Sequence, residues 1–138
     1  MKLLTRDTFR EQTLARDSEN CCVPGCNEVA VDAHHILNRN LFTEQYEFGG
    51  YFVENGAQLC AKHHYDAELT RISVADLRVW CHITEPAVPS MLDAQKEYDC
   101  WGNELIAQGM RLPGPLFTNE GCQKALKTAN LLWTVQTW

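Results

Sequence analysis

Apolar and polar positions along the chain alternate in short blocks separated by turn-forming clusters. Residues 5–17 place Phe9 and Leu14 on one side of a helical wheel, with Thr8 and Glu11 as a capping box, and predict a helix. The next stretch, SENCCVPGCN (18–27), is turn-rich, and Pro24-Gly25 bends the chain between cysteines. Val29 and Val31 alternate ahead of His34-His35-Ile36, which predicts a strand or hairpin over 29–37. A longer connection, 38–54, holds Gly49-Gly50 and the aromatics Phe42, Tyr46, Phe48, Tyr51 and Phe52, a content that predicts a loop packed on the core. Asn55-Gly56 marks a turn, and a helix is expected from Gln58 to Leu69. Ser73 and Asp76 cap a short helix over 74–81 that turns Val74, Leu77 and Cys81 inward. After Pro86 and Pro89, residues 98–118 read as turns and short strands, punctuated by Gly102-Asn103, Gly109 and Pro113-Gly114-Pro115. Cys122, Ala125, Leu126 and Ala129 recur at helical spacing and predict a last helix over 119–131. The pattern is that of an α+β chain without internal repeats.

Composition narrows the class. A chain of 138 residues is one domain of ordinary size, and 45% hydrophobic with 22% charged residues is globular, not disordered. No run approaches the roughly 18 apolar residues of a membrane span, so no membrane partner is expected. The opening MKLLTRDTFREQ is charged, unlike a signal peptide, which makes the cytoplasm the expected location. That compartment disfavours disulfides, and the seven cysteines are odd in number. Cys21, Cys22, Cys26 and Cys60 fall in the His-rich half, whereas Cys81, Cys100 and Cys122 are read as buried small hydrophobes. The net charge of −6 argues against a tight nonspecific nucleic-acid binder. It does not exclude a nuclease, because bound cations offset the acidic sum. A phosphate-contacting surface must then be a local patch. Arg39, Lys62 and Arg71 are the basic residues nearest the motif, with ordinary solvated charge as the equal alternative.

The chemistry concentrates in one string, Cys21-x4-Cys26-x7-His34-His35-x19-Asn55-x4-Cys60-x2-His63-His64. Cys21 or Cys22 with Cys26, and Cys60 with His63, form two pairs suited to a tetrahedral zinc site. On a helix, positions 60 and 63 share a face, while His64 is turned about 100° onward. One helix can therefore serve zinc with Cys60 and His63 and a second ion with His64. A loop-rich stretch of this kind needs such a staple, since bound zinc contributes folding free energy directly. The remaining residues suit phosphodiester hydrolysis, which needs an activated water, charge stabilisation on phosphorus and help for the leaving oxygen. A single metal supplies the last two by Lewis acidity, and a His with near-neutral pKa serves as base. One of His34 and His35 ligates metal while the other faces phosphorus. Asn55 ties down a loop or orients an imidazole.

The order of these residues resembles the HNH endonuclease family, carried by DAHHIL (32–37), ENGAQLC (54–60) and LCAKHH (59–64). The entry ARDSENC (15–21), the stretch NRNLF…GGYFVENGAQLCAKHH and the tail YDCWGNEL…RLPGPLF…QK are similar to small bacteriophage HNH proteins. The resemblance implies a ββα-metal (His-Me finger) core with zinc knuckles, an N-terminal helix and a helical or irregular C-terminal extension. It makes His34 and His64 ligands of a catalytic divalent ion (Mg2+ or Mn2+, with Zn2+ or Ni2+ as alternatives) and His35 the general base. Asn55 becomes the orienting residue, and Cys21, Cys26, Cys60 and His63 the structural Zn2+ set, with Cys22 the alternate to Cys21. The entry phase favours Cys21. Many relatives have Cys-x2-Cys in the first knuckle, which Pro24-Gly25 widens here. Asp32 is a runner-up metal ligand and Glu68 a further contact. The implied organisation is a nuclease domain over 1–85, with motif core 21–70, and an extension of no assigned role over 86–138 packed on it. The implied activity is metal-dependent hydrolysis of nucleic acid, DNA ahead of RNA, leaving 5′-phosphate and 3′-hydroxyl ends. A homodimer or a phage protein partner is open. The competing readings are a zinc-stapled nucleic-acid-binding module without turnover and a zinc-dependent protein-interaction domain.

Overall fold

The computed structural model describes residues 1–137. Among the described residues, four α-helices and two small antiparallel sheets make up a mixed α+β chain. In order they are α1 (Arg6–Leu14), β1 (Asp32–His35), β2 (Gly56–Leu59), α2 (Ala61–Glu68), α3 (Val74–Trp80), β3 (Glu104–Leu105), β4 (Arg111–Leu112) and α4 (Glu120–Thr128). Short 3-10 turns at Arg39–Leu41, Phe48–Gly50 and Val53–Asn55 fill the long excursion between β1 and β2.

The largest departure from the sequence reading is at 56–59. The expected helix over 58–69 begins only at Ala61, and Gly56–Leu59 is a strand, buried throughout. It pairs antiparallel with β1 in the register Asp32↔Leu59, Ala33↔Gln58, His34↔Ala57, His35↔Gly56. Four residues are too few to show a period, so pairing and burial decide the conformation. Cys60 becomes the N-cap of α2 and His63 its third residue. Asn55-Gly56 is not a free turn: Asn55 closes a 3-10 turn and Gly56 opens β2. Gly56 is required by packing, since a Cβ there would lie 2.9 Å from the Phe9 ring and closer still to Thr13. Thus α1 sits directly on β2.

Smaller differences follow the same logic. The cap of α1 is Thr5, whose hydroxyl accepts from the Thr8 backbone N–H at 3.2 Å, and not Thr8. Thr13, not Leu14, joins Phe9 as a buried residue of α1. Val29 and Val31 lie outside β1 and are exposed. Of the loop aromatics, Phe42 and Phe52 are buried, whereas Tyr46 and Phe48 face solvent. The last helix ends at Thr128, short of the expected 131. Ser73 caps α3 as expected, accepting from the Asp76 N–H at 3.0 Å. Cys81, Cys100 and Cys122 are buried, in keeping with their reading as small hydrophobes.

The main core gathers Ile36, Leu37, Leu41, Phe42, Leu59 and Leu77 together with Cys81, Ala87 and Cys100. Residues beyond 85 therefore pack on the same apolar cluster as the β1–β2 pair. A second cluster, Cys122, Leu126 and Val135, holds α4, and Trp101 packs against both. A buried polar network reinforces the junction. Arg111 Nε donates to Asp99 Oδ2 at 3.0 Å, and its other nitrogens reach Thr134 Oγ1 at 3.2 Å and Thr70 Oγ1 at 3.4 Å. No helix is long and apolar enough to cross a membrane among the described residues.

Candidate functional site

Two groups of side chains meet at α2. On one side, Cys21, Cys26, Cys60 and His63 bring their ligand atoms within 4.8 Å of one another. A tetrahedral zinc with sulfur at about 2.3 Å and nitrogen at about 2.0–2.1 Å sets S···N edges of about 3.5 Å. The observed edges are 3.4 Å from Cys21 Sγ to His63 Nδ1 and 3.2 Å from Cys60 Sγ to the same atom. The quartet therefore has the donors and the dimensions to hold a metal ion such as zinc. Burial pushes the Cys21 thiol up to about 11, a shift that a coordinated dication reverses by deprotonating the thiol. Cys22 is outside the quartet. Its thiol faces Cys81, and that contact, followed by burial, raises its pKa, while Cys81 is held down to about 7 by Cys22 and Arg16. Cys21 and Cys22, although adjacent, thus face different partners: Cys21 the His63 imidazole, Cys22 the Cys81 thiol.

On the other side of α2, the surface opens into a cleft of about 750 Å³ lined by Asp32, His34, His35, Arg39, His64 and Glu68, among others. His34 and His35 diverge from β1 as strand neighbours must. His34 turns to α2, its ring centroid 5.2 Å from that of His64. His35 is held between Phe9 at 4.8 Å and Tyr51 at 5.3 Å. Nε2 of each is buried without a hydrogen-bond partner. Both rings are held neutral. Burial, then His64 and His35, lowers His34 to about 3. Burial lowers His35 to about 4, with the Arg39 and Arg6 charges adding to it and the Gly49 carbonyl opposing. His64 bridges two carboxylates, Nδ1 lying 3.0 Å from Asp32 Oδ2 and Nε2 3.2 Å from Glu68 Oε1.

Asn55 does not line the cleft; it is buried behind it. Its Oδ1 accepts from Leu37 N–H at 3.0 Å, and its Nδ2 donates to the carbonyls of Leu37 at 3.0 Å and Gly50 at 3.3 Å. Ile36 N–H donates to the Asn55 carbonyl at 2.8 Å. The side chain thus fixes the chain just after His35 to the loop that carries Gly49. Glu47 anchors the far side of that loop, accepting from Thr43 N–H at 3.2 Å, Ser90 N–H at 2.9 Å and Ser90 Oγ at 3.2 Å.

Of the expected basic contacts, Arg39 lines the cleft. Lys62 and Arg71 do not, and Arg71 lies 3.4 Å from Asp66. Sequence reasoning missed Arg6, Arg10, Tyr51 and Lys124, all of which line the cleft. Arg6 and Arg10 carried a signal, since their i,i+4 spacing puts them on one helix face. No family model matches the chain, and no curated protein or solved structure was found to match it.

Proposed function

We propose that the chain is a metal-dependent endonuclease of HNH type, with β1, β2 and α2 as its ββα-metal core. The observation that carries this reading is the pair of neutral imidazoles, His34 and His35, each with an unpartnered buried Nε2 at a cleft shared with His64. Of the buried side-chain atoms without a partner, these two are the ones at the cleft, where ion binding or chemistry would give them a use. His34 and His64, with Asp32 or Glu68 beside them, offer imidazole nitrogen and carboxylate oxygen, donor types that a divalent cation takes, although among the described residues only the Cys/His quartet brings three or more ligand atoms within 4.8 Å of one another. Such an ion, Mg2+ or Mn2+, would supply Lewis acidity at the phosphoryl and leaving oxygens.

The protein's own groups account for the remaining steps. A proton held on Nδ1 would leave the buried, unpartnered Nε2 of His35, beside the Gly49 carbonyl, free to take a proton from water. Asn55 keeps that carbonyl in place by holding the neighbouring Gly50 carbonyl. Arg6 and Arg39 depress the basicity of His35 in the free protein. An entering phosphodiester offsets both charges, so His35 becomes a stronger base when substrate is present. Arg39 then serves the phosphate by charge.

Nicking of supercoiled plasmid in Mg2+ or Mn2+ tests the reading. Cleavage by the wild type that falls at least a hundredfold in His35→Ala supports it, and undiminished cleavage in that variant removes His35 as the base. The second reading, a zinc-stapled nucleic-acid-binding module, draws on the two carboxylates that occupy both ring nitrogens of His64. Tight oligonucleotide binding with no cleavage in any divalent ion would favour it.

A further inference from the structure

We propose that the C-terminal extension builds the second wall of the cleft, and that one strand of nucleic-acid backbone passes between α1 and α4 with Lys124 contacting its phosphate. This rests on the nuclease reading of the cleft and adds what residues 86–138 do for it.

The argument starts from charge. The chain is acidic, with net charge −6, yet four cations line this one cleft: Arg6 and Arg10 on α1, Arg39 after β1, and Lys124 on α4. None of the four is in an ion pair among the described residues. The two carboxylates of the lining that flank the histidines, Asp32 and Glu68, are both turned to His64. Four cations against two carboxylates leave a net positive concavity on a protein that is acidic as a whole. A polyanion with regularly spaced charges is the ligand class that such an arrangement fits.

The position of Lys124 is fixed by the extension. Trp101 donates its indole N–H to the Glu68 carbonyl at 3.0 Å, at the end of α2, and Cys100 Sγ lies 3.5 Å from the Ala67 carbonyl. Its ring lies against α4 at Gly121, where a Cβ would come within 3.2 Å of it. The indole thus clamps α4 to the helix that carries His64 and Glu68. Lys124, one turn beyond Gly121, is exposed and lines the cleft together with Arg6 and Arg10. Lys127 lies on the same helix with the same charge and is outside the lining.

The test is fluorescence anisotropy with a labelled single strand and the matching duplex, over a salt series, in Ca2+ buffer with the zinc-loaded full chain. Each phosphate contact removed lowers the slope of log K against log salt by about 0.7 for a single strand and about 0.9 for a duplex. Lys124→Ala is expected to show that drop and a five- to eightfold weaker Kd near 0.1 M salt, with Lys127→Ala at wild-type values. Whichever probe shows the drop names the form of the strand. An unchanged slope in Lys124→Ala, or an equal loss in Lys127→Ala, overturns the proposal. Plasmid nicking read in parallel separates the two claims. Cleavage that persists with an unaltered Lys124→Ala slope removes the wall and leaves the nuclease. Binding that needs Lys124 in a protein that never cuts removes the nuclease and leaves a strand-binding cleft.

Discussion

Asn55 grips Leu37 from both sides, accepting from its N–H and donating to its carbonyl, each at 3.0 Å. This closes the excursion between β1 and β2 at its base, with a third bond to the Gly50 carbonyl. Asn55→Ala would leave the buried Leu37 N–H and carbonyl without partners, at about 1–3 kcal/mol for each such group when nothing relaxes, while the Gly50 carbonyl keeps the Phe52 N–H at 2.9 Å. We expect about 3 kcal/mol lost in urea denaturation, together with a large fall in cleavage. Asn55→Asp keeps the acceptor and loses both donated bonds, so its loss should match or exceed that of Ala, because a buried carboxylate is added.

The Cys/His quartet predicts one zinc per chain by elemental analysis of the purified protein. Cys60→Ser or Cys21→Ser should lose the metal and lower the melting temperature by ten degrees or more. Cys22→Ser should keep it, because the Cys22 thiol faces Cys81. Zinc retained in Cys21→Ser and lost in Cys22→Ser would reverse the ligand assignment.

Acid should destabilise the protein through His35. Its folded-state pKa of about 4 lies below the ordinary value of 6.5, so the folded protein binds its proton less readily than the unfolded chain. The contribution is complete above pH 6.5 and is lost as pH falls toward 4. For this group alone the loss between pH 7.5 and 5 is about 2 kcal/mol. Replacing His35 with Gln should flatten the pH dependence by that amount, in denaturation curves taken side by side. An unchanged slope would mean that the ring is not buried neutral.

Gly56→Ala should be disruptive out of proportion to one methyl group. The added Cβ meets Thr13 and the Phe9 ring, which packs on His35. Overpacking of this kind costs about 1–3 kcal/mol. Because Phe9 must move, cleavage should fall further than stability alone explains, which kinetics at a temperature well below the melt would reveal.

The sequence carried the metal-ligand quartet well, since cysteines and histidines at knuckle spacing leave few alternatives. It also carried the ends of α3, where a Ser side chain caps the backbone locally. β2 was illegible because Gly56–Leu59 is a strand only through its partner across the chain. The loop aromatics misled in the same way: Phe42 and Phe52 are buried and Tyr46 and Phe48 are not, and composition alone does not separate them. Arg6, Arg10 and Lys124 lie far from the motif in sequence and reach the cleft only through tertiary packing.

Trp101 touches both hydrophobic clusters and holds the end of α2 by its indole N–H. A residue shared in this way couples the stability of the parts it joins, so neither can open without exposing the other. Unfolding followed by fluorescence, by circular dichroism and by zinc release should therefore coincide in one transition. Limited proteolysis between 85 and 98 should not release a stable core, because Ala87 and Cys100 would leave with the fragment. The extension would then act as part of the protein's cooperative unit, inherited and lost together with the cleft it borders.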